Sequence, residues 1–289
     1  MQTVSFRQVD VFTSKPFRGN PVAVVMGGDN FTTEQMQEIA SWINLPETTF
    51  VVKPHNKDAD YGVRIFTTSS ELPFAGHPTI GTAHALLESG AIEAKRGAVL
   101  QESPAGIFEV FVDDDLIGFE MPPAHIVGVS KTHAVWLDRQ FGSGILSNKP
   151  PLFIDVGIKW LVLEMKNAST VMSVIPNTED ILKFSKESGI AGIVIFGTES
   201  ESNEEWTEVR AFLPSLGTNE DAACGSGNGA VGYFMQHYAD KPTEVERFIR
   251  QGRHVGRDAY ISLGFSLDGK VSVRGSAVTC LEGHILAPA

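Results

Sequence analysis

The strongest constraint on this chain is internal: one strand–loop–helix pattern is written into it twice. Arg64 to Gly81 reads R-I-F-T-T-S-S-E-L-P-F-A-G-H-P-T-I-G, and Arg210 to Ala230 reads R-A-F-L-P-S-L-G-T-N-E-D-A-A-C-G-S-G-N-G-A. Each copy opens on an R-x-F strand, crosses a polar loop and reaches E-x-x-x-x-G at the start of a helix of small and apolar residues. Arg64 leads to Gly76 and Arg210 to Gly225, so the second loop is three residues longer. Two copies are too few for a solenoid but suit a duplicated pair of domains. At 289 residues the chain has the length for two. The expected architecture is α/β (α+β), with two pseudo-symmetric domains facing each other across a cleft.

Local signals fill in the elements. Val9 to Phe12 and Pro21 to Met26 read as strands around the K-P-F-R-G-N turn, and Thr48 to Val52 and Val63 to Phe66 as further strands. Residues 32–43 read as a helix: Thr32 and Gln35 form a capping-box pair, and Met36, Ile39, Ala40 and Ile43 fall on one face. A second helix follows Gly76 and stops at Gly90. Strands dominate from Gly97 to Glu120, a strand pair surrounds Ile154 to Met165, and another strand covers Gly192 to Gly197. Thr198 to Glu205 is an acidic, solvated hairpin tip. Met121-Pro122-Pro123 is the natural linker, giving domains of 1–120 and 121–278.

The two glycine-led helix starts carry the chemistry. A first helical turn has unpaired N–H groups and a partial positive charge, so Gly76-His77-Pro78 and Gly225-Ser226-Gly227 would both suit a carboxylate. G-S-G-N-G-A also fits a loose dinucleotide fingerprint, but no apolar strand runs into Gly225, and Asp240 is poorly placed. No P-loop, H-E-x-x-H or C-x-x-C is present, so neither metal nor cofactor is expected, and His84 reads as a packed helix residue. With 23 basic against 35 acidic residues the formal charge is −12, which argues against a nucleic-acid partner. Two cysteines exclude a disulfide framework, no apolar run is long enough for a membrane span, and a cytoplasmic protein is expected.

At these residues the chain resembles the phenazine-biosynthesis isomerase-like (PhzF-like) family, relatives of diaminopimelate epimerase and proline racemase. The resemblance rests on V-D-V-F-T-S-K-P-F-R-G-N-P-V-A-V-V (Val9 to Val25), L-P-E-T-T-F-V (Leu45 to Val51) and E-L-P-F-A-G-H-P-T-I-G-T-A (Glu71 to Ala83). The second half adds D-V-G-I-K-W-L-V (Asp155 to Val162), E-D-A-A-C-G-S-G-N-G-A-V-G-Y-F (Glu220 to Phe234) and Q-G-R-H-V-G-R (Gln251 to Arg257). It implies a diaminopimelate epimerase-like fold, with strands around a central helix in each domain and a C-terminal strand, about 279–289, returning to the first. It also implies isomerisation of a small carboxylate, such as a dihydro-hydroxyanthranilate, without metal or cofactor, by a homodimer. Glu47 would shuttle the proton, with His77 and Asp221 orienting the substrate. Gly76, Pro78, Gly225, Ser226 and Asn20 would bind it. Partial burial of Glu47 would raise its pKa toward that of an acid/base catalyst, and a helix N-terminus would bias His77 toward neutral imidazole.

One departure opens alternatives. The racemases and epimerases of the superfamily use a cysteine at each helix start, whereas here the first position is Ala75 and only the second, Cys224, is a thiol. A thiol at a helix N-terminus has a lowered pKa, so Cys224 is a candidate base; the other reading is a small buried residue. Cys280, in V-T-C-L, reads as packing. Three functions stay open: a Glu47 isomerase, a single-cysteine epimerase or dehydratase of amino or imino acids, and a non-catalytic ligand-binding dimer.

Overall fold

The computed structural model describes residues 3–146, 148–201, 204–241 and 244–286. They form two compact units: one runs to Phe119 and resumes at Arg274, and the other is Glu120–Val273.

In the first unit, β1 (Thr3–Val11) pairs antiparallel with β2 (Asn20–Val25) on one side and with the C-terminal strand Ala277–Leu286 on the other. Helix α1 (Thr33–Ile43) then carries the chain across to β3 (Glu47–Val52), parallel to β2. The capping box forms as its residues dictate: Gln35 N–H donates to Thr32 Oγ1 at 3.3 Å, and Thr32 N–H to Gln35 Oε1 at 3.0 Å. Only Met36 and Ala40 of α1 are buried, packing on Phe31, Phe50 and Phe66, so this helix lies on the outside of the sheet.

β4 (Tyr61–Phe66) returns antiparallel to β3, and the two-residue β5 (Glu71–Leu72) folds back on it. Helix α2 (Gly76–Glu88) crosses to β6 (Ala98–Ser103), parallel to β4, and β7 (Gly106–Asp113) and β8 (Leu116–Glu120) complete a meander. Nine residues of α2, His77 to Ala83 with Ala85 and Leu86, are buried. A helix apolar all round must be enclosed, and α2 touches β1, β2, β3, β7 and the C-terminal strand.

The second unit repeats this order. After β9 (His125–Gly128) and α3 (Lys131–Phe141) come β10 (Leu152–Asp155) and β11 (Lys159–Glu164). Then follow α4 (Ala168–Ser173), α5 (Thr178–Ser188), β12 (Gly192–Glu201), β13 (Glu204–Leu213) and β14 (Thr218–Asp221). Helix α6 (Gly225–His237) leads to β15 (Val245–Gln251), β16 (Ala259–Phe265) and β17 (Val271–Gly275). β11 and β12 are parallel, as are β13 and β15, while β12 and β13 form an antiparallel hairpin. The tip of that hairpin, residues 202 and 203, lies outside the described residues. α6 is enclosed like α2, with nine buried residues from Gly225 to Phe234. In the Met-Pro-Pro segment Met121 is buried while Pro122 and Pro123 are exposed, and Tyr233 Oη donates to the Pro122 carbonyl at 3.0 Å.

The repeated R-x-F…E pattern has a physical counterpart in each unit. Arg64 binds Glu71 through two hydrogen bonds of 2.7 Å and lies 5.2 Å from the centre of the Phe66 ring. Arg210 binds Glu220 at 2.9 and 2.8 Å and lies 5.0 Å from the Phe212 ring. A bidentate guanidinium–carboxylate pair fixes direction as well as distance. It pins the loop five residues ahead of each helix glycine. The three extra residues of the second loop are taken up around the single 3-10 turn Pro214–Leu216.

The two pairs differ in burial, and so in cost of removal. The Arg210 and Glu220 side chains are 4% and 10% exposed, those of Arg64 and Glu71 26% and 28%. Arg210 also donates to the carbonyls of Val171 and Val174. Arg210→Met is expected to cost about 3 kcal/mol, because it strands a buried carboxylate. Arg64→Met is expected to cost about 1 kcal/mol or less. Urea denaturation of both variants measures the difference, and equal costs would contradict this assignment.

Candidate active site

Glu47 is the first residue of β3, opposite Val22 of β2. It therefore stands in a strand rather than in the connecting loop. His77 is the second residue of α2. Glu47 Oε2 and His77 Nε2 are 3.2 Å apart, with the two side chains 18% and 8% exposed. His77 also hydrogen-bonds the backbone carbonyl of Pro21, immediately after Asn20. Among the described residues Nε2 makes no conventional hydrogen bond. Burial, opposed only by the Pro21 bond, holds the His77 pKa down at about 3. The ring is thus neutral near pH 7, with Nε2 3.2 Å from Glu47 Oε2.

The helix start beside this pair is open. Its N-cap is Ala75, whose side chain has no acceptor, and Pro78 has no N–H to offer. The first-turn donors left to an outside acceptor are the N–H groups of Gly76 and His77. Pro78 is buried and shapes the turn instead of donating. Gly76 has a packing reason as well: a Cβ there would lie 2.6 Å from Cζ of Phe119. Phe119 meets Phe74 edge-on at 5.5 Å, and Phe74 lies 4.4 Å from Phe108. Asn20, at the start of β2, is fully enclosed.

In the second unit Asp221, Cys224, Gly225 and Ser226 are brought together at the start of α6. Asp221 Oδ1 accepts from Ala223 N–H at 3.3 Å. Cys224 is the N-cap, its sulfur accepting from Gly227 N–H at 3.4 Å and lying 3.6 Å from Ser226 Oγ. The expected lowering of its pKa is reversed. Burial pushes the thiol well above its ordinary range, the Asp221 carboxylate adds to this, and the Gly227 and Ser226 donors only partly oppose it. The helix-end field is worth at most about 2 kcal/mol, less than the burial of an anion costs. The thiol form of Cys224 is therefore favoured near neutral pH. Both cysteines are free. His84 sits 3.8 Å from Glu88, one turn along α2. No helix among the described residues is long and apolar enough to cross a membrane.

Two contributors escaped the sequence reading. The Pro21 carbonyl, which His77 bonds, has no side-chain signal. Gln251 was visible within Q-G-R-H-V-G-R, but its contacts with the α6 entrance depend on strand register.

The neutral state of His77 is directly measurable. Its imidazole NMR shifts are expected to stay constant from pH 8 to pH 5; a titration midpoint above 6 would contradict the burial argument. Because the folded pKa lies below the unfolded value of 6.5, the group's contribution to stability is complete above pH 6.5 and is lost as pH falls toward 3.

Comparison with known proteins identifies the family. Residues 9–283 match the family model for phenazine biosynthesis-like proteins, PhzC-PhzF. A Schizosaccharomyces pombe protein, Antisense-enhancing sequence 1, is 39% identical, covering 96% of this chain and 97% of its own. Trans-2,3-dihydro-3-hydroxyanthranilate isomerase of Pseudomonas aeruginosa is 30% identical, with coverage of 96% and 97%. The crystal structure of a Bacillus anthracis PhzF-family protein superposes with a TM-score of 0.86 at 26% identity, over 99% of this chain and all of that one. The chain belongs to the phenazine biosynthesis-like protein family and is an enzyme of its isomerase class.

Proposed function

We propose that this isomerase moves a proton along a small cyclic or unsaturated carboxylate, without a cofactor, using Glu47 as the acid/base. The observation that carries the reading is the 3.2 Å Glu47–His77 pair beside an uncapped helix start. A carboxyl group that can take a proton from one carbon and return it to the next needs a neighbour that tolerates both of its states. Neutral His77 carries no charge that would trap the ionised form in an ion pair or repel the protonated one, and its bond to the Pro21 carbonyl steadies the ring. The Gly76 and His77 N–H groups are suited to hold the substrate carboxylate, whose charge delocalises as the adjacent C–H bond weakens.

Asp221, Gly225 and Ser226 are proposed as substrate-binding residues, Asp221 as a hydrogen-bond acceptor and the α6 first turn as a donor set. The named activity of the Pseudomonas relative supports a dihydro-hydroxyanthranilate-like acid as the substrate class. Catalysis by Cys224 finds no support, since its thiol is held protonated and the counterpart position is Ala75.

The test is NMR in heavy water with a panel of cyclic unsaturated carboxylates and amino acids, trans-2,3-dihydro-3-hydroxyanthranilate among them. One cyclic acid should gain deuterium at a ring carbon. Glu47→Gln should slow that exchange roughly a hundredfold or more, and Cys224→Ser should leave it within a few-fold of the parent. Exchange that survives Glu47→Gln but is lost with Cys224→Ser would refute the carboxylate mechanism.

A further inference from the structure

Gln251, the last residue of β15, is fully buried, and its side-chain amide makes three hydrogen bonds at the α6 entrance. Its Oε1 accepts from Cys224 N–H at 3.2 Å and from Asn228 Nδ2 at 2.7 Å, and its Nε2 donates to the Asp221 carbonyl at 3.1 Å. The orientation of the amide is not arbitrary: turning it over would set an NH2 against two donors and an oxygen against a carbonyl. Asn228 adds a second tie, donating to the Cys224 carbonyl at 2.8 Å. The next residue is shaped to the same segment. Gly252 has φ +97°, and a Cβ there would lie 2.4 Å from the Ala222 carbonyl oxygen. Both ends of Asp221–Cys224 and its middle thus rest on the last residue of β15 and the glycine that follows it.

The first unit has a partial counterpart at its own helix start: the buried Gln101 donates to Thr79 Oγ1 at 3.0 Å and accepts from Tyr61 Oη at 3.0 Å, and Thr79 Oγ1 donates to the carbonyl of the N-cap Ala75 at 2.9 Å.

We infer that Gln251 is a positioning residue: its amide fixes Asp221 and the first turn of α6 in the geometry that receives the substrate. The inference rests on the proposed reading in which Asp221 and the α6 start bind the substrate. Gln251→Leu removes all three bonds. Gln251→Glu keeps the shape but, when ionised, cannot donate to the Asp221 carbonyl.

Two readouts test this, one of them independent of any substrate. Alkylation by iodoacetamide, followed at each cysteine by mass spectrometry, should be about tenfold faster at Cys224 in Gln251→Leu, with Cys280 unchanged as internal reference. In the heavy-water assay, Gln251→Glu should raise KM about tenfold while kcat changes less than threefold. If neither variant folds, hydrogen exchange on the parent protein decides: the Cys224 amide should be strongly protected. Unchanged Cys224 alkylation and KM in folded variants, or a rapidly exchanging Cys224 amide, would overturn the inference. Full activity of Glu47→Gln would overturn the functional reading alone, leaving the alkylation result to stand for Gln251.

Discussion

The feature on which the rest depends is the bidentate arginine–carboxylate pair that closes each strand–loop–helix unit. Arg64 with Glu71 and Arg210 with Glu220 hold two loops of unequal length to the same end point, five residues before a glycine that starts a buried helix. Without that tie, a polar loop of this kind has many ways to reach the helix, and its first-turn residues would have no fixed station. With it, each unit presents a helix start in a defined setting, and the chemistry mounted there has diverged. The first unit offers His77 facing Glu47, behind an N-cap with no acceptor. The second offers Asp221 and Ser226 around a cysteine N-cap.

Burial, more than the helix dipole, sets the charge states at both starts. Moving His77 from 6.5 to about 3 corresponds to several kcal/mol, at about 1.4 kcal/mol per unit. A helix terminus contributes at most about 2 kcal/mol. At His77 burial and dipole act in the same direction, so the expectation of a neutral ring holds, with burial as its larger cause. At Cys224 they oppose, and burial prevails. The same competition accounts for both outcomes, and it favours the protonated thiol.

Much of the scaffold was legible because it is local or repeated. The Thr32–Gln35 capping box, the enclosed glycine-rich helices and the R-x-F…E spacing can all be read within some twenty residues of sequence. Helix α5 is marked just as locally: Asn177 caps it, Glu179 and Asp180 sit in its first turn, and Gly189 ends it in the left-handed region. The meeting of Glu47 and His77 is different in kind. It joins a strand start to a helix thirty residues away, and only the resemblance to a family pointed to it. Gln251 lies further still from local pattern. Its place comes from the parallel register that sets it opposite Val209, beside the strand that feeds the α6 loop.

The central claim is that one carboxyl group both removes and returns the proton. It is tested most directly by a single turnover in ordinary water, using the exchanging acid labelled with deuterium at the carbon that loses its hydrogen. A Glu47 shuttle sheltered by His77 predicts product carrying a measurable share of that deuterium at the newly protonated carbon, with the transfer abolished in Glu47→Gln. Product with only protium at that carbon, formed at the parent rate, would show that separate groups remove and deliver the proton and would contradict the account.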